Sequence, residues 1–174
     1  MCSVFFFHPM STAHKNLSEF ELANTPSAKG MRIAVVVSEW NTEITEALFT
    51  GVRDCLLELG CSPSDILRKS VPGSYELVIG AQWMAETQQP DAVICLGCVI
   101  QGETRHFDFI CDAVANGLMN LGIKFSLPFI FGVLTPNTMQ QAQDRAGGKH
   151  GNKGVEAAVT AVKMIALKRE LKKA

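Results

Sequence analysis

The sequence lacks long apolar stretches and has no excess of charge of either sign. Its longest apolar run, residues 92–100, is far shorter than the about 20 residues that a membrane-spanning helix needs. The 16 Lys and Arg residues nearly balance the 17 Asp and Glu residues, and no basic stripe with interleaved aromatic residues indicates nucleic-acid binding. The apolar segment at residues 4–7 is too short for the core of a secretion signal. We therefore predict a cytoplasmic protein that binds neither membranes nor nucleic acids.

Signals for metal binding and thiol chemistry are also scarce. Among the six cysteines, Cys95 and Cys98 have Cys-x-x-Cys spacing, but they lie within an apolar run that is typical of a buried strand. A redox motif of this spacing opens a helix, whose dipole lowers the thiol pKa. No second Cys-x-x-Cys pair is present to complete a zinc site. We expect buried, reduced thiols and no metal site.

The length and composition predict one folded domain with a short arm. The chain has 174 residues, of which 47% are hydrophobic and 19% are charged, as in an ordinary α/β protein. Residues 1–29 are rich in Ser, Thr, Asn, Ala and Lys and show no sustained periodicity. They predict a flexible N-terminal arm that can lie on a neighbouring subunit. Residues 30–174 form the single predicted domain.

Strand and helix patterns alternate along this domain. Apolar and β-branched runs predict strands at residues 33–37, 66–71, 93–100 and 128–134. Apolar residues at helical spacing, together with capping and breaking residues, predict helices at residues 42–59, 74–86, 105–121, 136–145 and 152–172. Because strands that alternate with helices form parallel sheets between helix layers, we predict an α/β three-layer sandwich with a four-stranded parallel sheet flanked by helices.

The end of the third predicted strand carries the strongest chemical signal. Ligands of parallel sheets bind beyond the carboxyl ends of the strands. There, Gly102 allows close backbone approach, and the amides of Glu103 and Thr104 at a helix N-terminus suit a phosphate. His106 titrates near neutrality and can move a proton. The alternative is that Thr104 caps the helix and His106 is a solvated surface residue.

The other strand ends supply weaker signals, each with a simpler alternative. Trp40 directly follows a strand and can stack on a flat heterocycle, or it can pack at the rim of the core. The turn that ends at Glu76 offers amides and a carboxylate for the NH edge of a uracil-like ring, or it is a plain strand-to-helix turn. Arg145 and Lys149 suit a phosphate, or they belong to a solvated charge cluster in a Gly-rich linker. Phe131 lies on an apolar strand, which favours core packing.

Three segments together resemble one enzyme family. The segments VPGSYELV, LGCVIQGETRHFDFIC and FIFGVLTPNTMQQAQDRAGGKHGNKG are similar to those of the 6,7-dimethyl-8-ribityllumazine synthases. The resemblance runs from about residue 31 to the C-terminus and does not cover the arm. It implies a flavodoxin-like fold and the condensation of 5-amino-6-(D-ribitylamino)uracil with 3,4-dihydroxy-2-butanone 4-phosphate, without a metal or an organic cofactor. The reaction is the penultimate step of riboflavin biosynthesis.

The resemblance also implies roles for individual residues. Trp40 would stack on the pyrimidine ring, His106 would transfer protons, Arg145 would neutralise the phosphate, and Phe131 would come from the adjacent subunit. Ring and ribityl contacts, together with phosphate-binding amides, would come from the remaining substrate-binding residues. These are Asn41, Ser74, Tyr75, Glu76, Cys98, Val99, Ile100, Gly102, Glu103, Thr104 and Lys149.

Family members assemble as pentamers, and some of them pack pentamers into icosahedral shells. The compact link at residues 147–154 resembles that of the shell formers, so we expect a homo-pentamer that can assemble into a 60-mer and can associate with riboflavin synthase. Cys98 stands where Thr is common and Gln101 where Arg is common, which places the local hydrogen bonding in question. We expect the Glu103 side chain to point away from the phosphate, towards Arg105.

Two other functions fit the same fold. A flavin or lumazine carrier without turnover would need neither His106 nor Arg145, and the presence of both argues against it. A flavodoxin-like FMN protein would need a Ser/Thr-rich phosphate loop after the first strand, and residues 38–41 do not supply one.

Overall fold

The computed structural model describes residues 24–173. The strands are β1 Ile33–Ser38, β2 Ile66–Val71, β3 Ala92–Cys98, β4 Phe129–Leu134, β5 Ala146–Gly148 and β6 Gly151–Asn152. The helices are α1 Thr42–Glu58, α2 Leu77–Gln88, α3 His106–Phe125, α4 Met139–Gln143 and α5 Lys153–Leu171, and a short 3₁₀ helix spans Pro63–Asp65. Within the described residues, no helix is both long enough and apolar enough to cross a membrane.

The main sheet has four parallel strands in the order β2-β1-β3-β4. Strands β1 and β3 are buried along their whole length because helices cover both faces of the sheet. The face with Ile33, Val35 and Ile94 packs on α1 and α5, whereas the face with Ala34 and Val93 packs on α2 and α3. The predicted α/β three-layer sandwich is confirmed.

The two residues of the Cys-x-x-Cys pair lie on opposite faces of this sheet. Cys95 belongs to the cluster under α2 and α3, and Cys98 belongs to the cluster under α1 and α5. Burial raises the pKa of both thiols, that of Cys98 to about 11. Both are free and buried, as expected, and act as small apolar residues at neutral pH.

The start of the domain is tied to its last helix at the amino edge of the sheet. Arg169 donates through Nη2 to the carbonyl oxygen of Gly30 at 2.9 Å and to Oδ2 of Asp91 at 3.1 Å. The same Asp91 oxygen accepts the backbone N–H of Arg32 at 2.9 Å. One carboxylate therefore joins the segment before β1, the loop before β3 and helix α5.

Most of the predicted arm, residues 1–23, lies outside the described residues. The part from residue 24 onwards contacts the domain. Ala28 is buried in the core and its N–H donates to the carbonyl oxygen of Leu59 at 2.8 Å, and Ser27 Oγ donates to the same oxygen at 3.2 Å. The segment just before residue 30 is therefore held by the end of α1.

Several predicted boundaries differ from the structure. Helix α2 begins at Leu77 rather than at residue 74, because the chain at Ser74 still forms a turn in which its carbonyl accepts the Leu77 N–H at 3.2 Å. Strand β3 ends at Cys98, so Val99 and Ile100 belong to the following loop. The hairpin β5–β6 was not predicted, since its Gly-rich sequence carries no periodic pattern.

Candidate active site

A cleft opens where the order of the strands reverses. The chain runs from β1 through α1 to β2 on one side, and then from β2 through α2 to β3 on the other side of β1. Such a switch point leaves a crevice outside the carboxyl ends of the strands. The crevice has a volume of about 740 Å³. We call it the switch-point cleft, and it is lined by Trp40, Asn41, Gly73, Ser74, Tyr75, Glu76, Cys98, Val99, Ile100, His106 and Ile110.

Trp40 stands beside this cleft on an extension of β1. The pairing with the β2 segment continues past the sheet, because Glu39 N–H donates to the Val71 carbonyl at 2.9 Å and Trp40 N–H donates to the Pro72 carbonyl at 3.2 Å. The Trp40 side chain is 72% exposed. It is therefore neither a core nor a buried rim residue in the single chain, and its indole face is available to a flat ligand.

The turn between β2 and α2 forms one wall of the cleft. Ser74 is buried against Gly97 of β3, where a Cβ atom would lie 2.7 Å from Ser74 Oγ. A Cβ atom at Gly73 would lie 2.9 Å from Oε2 of Glu76 and 3.6 Å from Cδ1 of Trp40. Gly73 thus leaves room for a carboxylate and an indole to face the same space. The sequence analysis did not name Gly73 as a site residue. The signal that could have identified it is its position directly before Ser74 in the same turn.

The cleft is also lined by the first residues of the loop after β3 and by His106, the first residue of α3. Val99 and Ile100 line the cleft, and the exposed residues Gly102 to Thr104 lie between them and His106. Thr104 Oγ1 accepts the His106 N–H at 3.4 Å, a long contact at the start of α3. His106 itself lines the cleft, so Thr104 can serve the helix start while His106 faces the ligand space. Ile110, one helical turn after His106, lines it too and was missed by sequence reasoning.

Arg105 pairs with Asp108 rather than with Glu103. Its Nε lies 3.6 Å from Oδ2 of Asp108, and its guanidinium lies 5.8 Å from the centre of the Phe109 ring. All of these side chains are well exposed. An exposed pair of this kind contributes little to stability, so the expected contact with Glu103 is replaced by a weak surface interaction.

Arg145 and Phe131 lie in a different cleft, which we call the β4 cleft. It has a volume of about 640 Å³ and runs along the outer edge of β4 between α4 and α5. Its lining includes Phe129–Pro136 together with Gln141, Arg145, Lys153, Glu156, Ala157 and Thr160. Within one chain, Arg145 therefore does not line the cleft of Trp40 and Glu76, because β4 is the outermost strand and the chain that follows it lies at the far edge of the sheet.

The β4 cleft contains charged side chains, and Phe131, one of its two phenylalanines, is exposed to solvent. Arg145 Nη1 donates to the Gln141 carbonyl at 3.1 Å, which leaves its other donors available. Lys153 Nζ pairs with Oε1 of Glu156 at 2.7 Å. Phe131 is 43% exposed, so it does not pack in the core as its apolar strand suggested. Lys149 is exposed and lines neither cleft.

Together the fold and the switch-point cleft define a flavodoxin-like α/β protein with a small-molecule site at the carboxyl edge of its sheet. The model of the family described as 6,7-dimethyl-8-ribityllumazine synthase matches residues 30–169. The chain belongs to this family.

Similar proteins carry the same family description. The chain is 56% identical over 157 residues to the 6,7-dimethyl-8-ribityllumazine synthase of Cytophaga hutchinsonii, covering 90% of this chain and 98% of the relative. It is 53% identical over 156 residues to that of Parabacteroides distasonis, with the same shares covered. It is 51% identical over 160 residues to that of Porphyromonas gingivalis, covering 92% of this chain and 99% of the relative. The similarity therefore spans nearly the whole of each relative.

Proposed function

We propose that the protein is a transferase that condenses 5-amino-6-(D-ribitylamino)uracil with 3,4-dihydroxy-2-butanone 4-phosphate to give 6,7-dimethyl-8-ribityllumazine. Phosphate and water are released, and the product serves riboflavin biosynthesis in the cytoplasm. The observation that carries the proposal is the convergence of an exposed indole, a carboxylate and His106 on one cleft of a chain that belongs to the synthase family.

The switch-point cleft holds the uracil substrate. Its flat ring stacks on Trp40, and the Glu76 carboxylate accepts hydrogen bonds from the NH edge of the ring. Ser74 and Tyr75 contact the ring and the ribityl chain from the same turn. The thiol of Cys98 and the side chains of Val99 and Ile100 line the same cleft and complete the pocket for the ring.

The phosphate of the second substrate lies at the start of α3. The amides after Gly102, those of Glu103 and Thr104, donate to its oxygens, and the helix dipole favours the negative charge. Arg145 adds a planar, permanently charged donor pair, and Lys149 adds a further positive charge nearby. The alternative role of Thr104 as a helix cap is compatible with this use of its amide.

Two protomers build each site. Arg145 and Phe131 occupy the β4 cleft and Trp40 and His106 occupy the switch-point cleft, so one chain does not bring the two sets together. A neighbouring copy that places its β4 cleft against the switch-point cleft supplies both missing residues. Such a head-to-tail contact closes into a ring, which we take to be a pentamer, and pentamers of this kind can build a 60-mer shell. Native mass spectrometry and electron microscopy distinguish the two assemblies.

The reaction proceeds by ordinary carbonyl chemistry on these groups. The 5-amine of the uracil attacks the ketone, and loss of water gives an imine. His106 then removes a proton from carbon while Arg145 stabilises the departing phosphate. Loss of phosphate leaves an enol, which tautomerises to a new ketone on the neighbouring carbon. Attack of the ribitylamino nitrogen on this ketone closes the second ring and releases a second water. Holding the two substrates in register supplies most of the rate.

A direct assay tests the function. Purified protein is mixed with the two substrates, and lumazine fluorescence and phosphate release are followed against the uncatalysed reaction. Both signals should appear together and faster than the background. A rate equal to the background, with the substrates or product still bound, would favour a carrier on the same fold. Co-purification with riboflavin synthase tests the proposed association separately.

A further inference from the structure

The residue after Trp40 has an uncommon backbone conformation. Asn41 has φ 58° and ψ 48°, in the left-handed region that few residues other than Gly adopt. Helix α1 begins directly after it, at Thr42. The Asn41 side chain does not cap this helix, although capping is the usual role of Asn at such a position.

The Asn41 side chain instead joins two strand ends. Its Nδ2 donates to the carbonyl oxygen of Cys98 at 2.9 Å, across from the end of β1 to the end of β3. The Asn41 carbonyl accepts the N–H groups of Ile44 at 2.9 Å and Thr45 at 3.1 Å. The residue is thus held on both its side chain and its backbone, and its amide nitrogen has a partner in the protein before any ligand arrives.

The Trp40 ring lies near Gly73 in the switch-point cleft. The ring is 72% exposed, and the Trp40 backbone N–H bonds to the Pro72 carbonyl at 3.2 Å. The direction of the indole therefore depends on the backbone at Trp40 and Asn41. The Cys98 carbonyl that holds Asn41 directly precedes Val99 and Ile100, which line the same cleft as Trp40.

We infer that Asn41 is a positioning residue. Its bond to the Cys98 carbonyl sets the distance between the Trp40 platform and the wall formed by Val99 and Ile100, and so sets the width of the slot for the uracil ring. This indirect role differs from the direct contact with substrate that the sequence predicts for Asn41. The inference rests on the proposed function for the identity of the ring.

Two substitutions separate the hydrogen bond from the backbone conformation. Asn41→Asp keeps the shape and tolerates the left-handed conformation, but its carboxylate does not donate to a carbonyl. Asn41→Gly adopts the same φ freely and has no side chain. The control is Asn120→Asp, which makes the same chemical change on the exposed face of α3. All variants also carry Trp83→Phe, which leaves Trp40 as the single tryptophan of the chain.

Two measurements are made on each variant. Steady-state kinetics give KM for the uracil substrate, and both Asn41 variants should raise it by roughly three- to tenfold, the effect of losing one hydrogen bond, with a smaller change in KM for the phosphate substrate. Time-resolved fluorescence anisotropy of Trp40 in the substrate-free protein should show a more mobile indole in both variants. Asn120→Asp should match the parent in both measurements, and circular dichroism reports whether each variant is folded.

The anisotropy decides between the two roles of Asn41. A raised KM with unchanged indole mobility would show direct contact with substrate and would overturn the inference. Unchanged KM and mobility would overturn it too. If Asn41→Gly behaves like the parent while Asn41→Asp does not, repulsion rather than loss of positioning is the cause, and the inference fails. Because the anisotropy needs no turnover, an inactive parent protein would count against the proposed function alone.

Discussion

At the scale of residues, the proposed chemistry is divided between a proton carrier and a fixed positive charge. His106 begins α3 and lines the switch-point cleft, and Arg145 follows α4 with most of its donors unoccupied among residues 24–173. An imidazole exchanges protons near neutrality, whereas a guanidinium does not. The two side chains are therefore suited to different steps of one reaction.

This division predicts different kinetic defects. Arg145→Ala should raise KM for the phosphate substrate by roughly 10- to 100-fold, because a charged hydrogen-bond donor to the phosphate is lost. His106→Ala should lower kcat by roughly 100-fold or more with a smaller effect on that KM. Steady-state kinetics with each substrate varied in turn measures both constants. Equal effects of the two substitutions on KM would show that the roles are not divided in this way.

The buried thiol of Cys98 predicts a loss of stability in alkali. Burial raises the pKa of Cys98 from 9.0 to about 11. A group whose folded pKa is raised contributes stability that is fully present below its unfolded pKa and is lost as the pH rises through its folded pKa. The free energy of unfolding should therefore fall between about pH 9 and about pH 11 more steeply for the native chain than for Cys98→Ser. Urea unfolding at a fixed protein concentration measures the two slopes, and equal slopes would contradict the assignment.

At the scale of elements, α1 and α5 pack closely at a pair of glycines. A Cβ atom on Gly154 would collide with the carbonyl oxygen of Leu48, and one on Gly51 would lie 2.5 Å from Oδ1 of Asn152. Asn152 uses the space above Gly51 to cap α5, accepting the Gly154 N–H at 2.8 Å, and to donate to the Ala47 carbonyl at 2.9 Å. The position of α5, and with it one side of the β4 cleft, depends on these small residues.

Gly154→Ala should consequently destabilise the fold. Overpacking against a backbone atom costs about 1–3 kcal/mol or more, and for a chain of this size each kcal/mol lowers Tm by about 2–4 °C. The control is Gly122→Ala in α3, where the new Cβ would lie 3.6 Å from the Leu127 carbonyl oxygen, an ordinary contact. That change should leave Tm unchanged or raise it, because Ala is the better helix former. Thermal unfolding compares the two variants, and a Gly154→Ala protein as stable as the control would show that the helices can separate.

The order of the elements was predictable from the sequence because long periodic segments dominate this chain. Strands β1 and β3 are continuous apolar runs, and α1 shows a regular apolar stripe. The hairpin β5–β6 was not predictable, since it consists of very short strands in a Gly-rich segment without a periodic pattern. The left-handed conformation of Asn41 was likewise hidden, because a residue type that commonly caps helices gave no sign of a bond to a distant carbonyl.

At the scale of the whole molecule, the sequence predicted which residues share the switch-point cleft but not that Arg145 lies in a separate cleft. The rule that ligands bind at the carboxyl ends of strands identified Trp40, Glu76 and His106, which do line one cleft. The rule does not say how far apart two strand ends lie across the sheet. Arg145 was therefore placed with the others, although β4 is the outermost strand and carries it into a separate cleft.

The separation of the clefts predicts complementation between inactive variants. If each site takes His106 from one protomer and Arg145 from its neighbour, co-expressed His106→Ala and Arg145→Ala chains should regain about a quarter of the native activity. In a ring of randomly mixed chains, about a quarter of the subunit contacts contain both an intact His106 and an intact Arg145. Activity per assembled protomer, with the subunit ratio from mass spectrometry, measures the recovery.

A matched mixture controls for simple dilution. The control mixes His106→Ala chains with chains that carry both substitutions. None of its subunit contacts contains His106, so it should stay inactive. Mixed assemblies of the two single variants that show no recovery would indicate that His106 and Arg145 act within one protomer.

The contact of Arg169 with the Gly30 carbonyl and Asp91 has a consequence for protein engineering. It holds the two ends of the folded domain side by side at the amino edge of the sheet, opposite the edge where the switch-point cleft opens. Chains whose ends lie close together tolerate circular permutation, and a fused partner at either end leaves from the same side. A short linker between the two ends, with new termini in a surface loop, would therefore preserve the sheet. It would move the attachment point for a fused protein and leave the switch-point cleft unchanged.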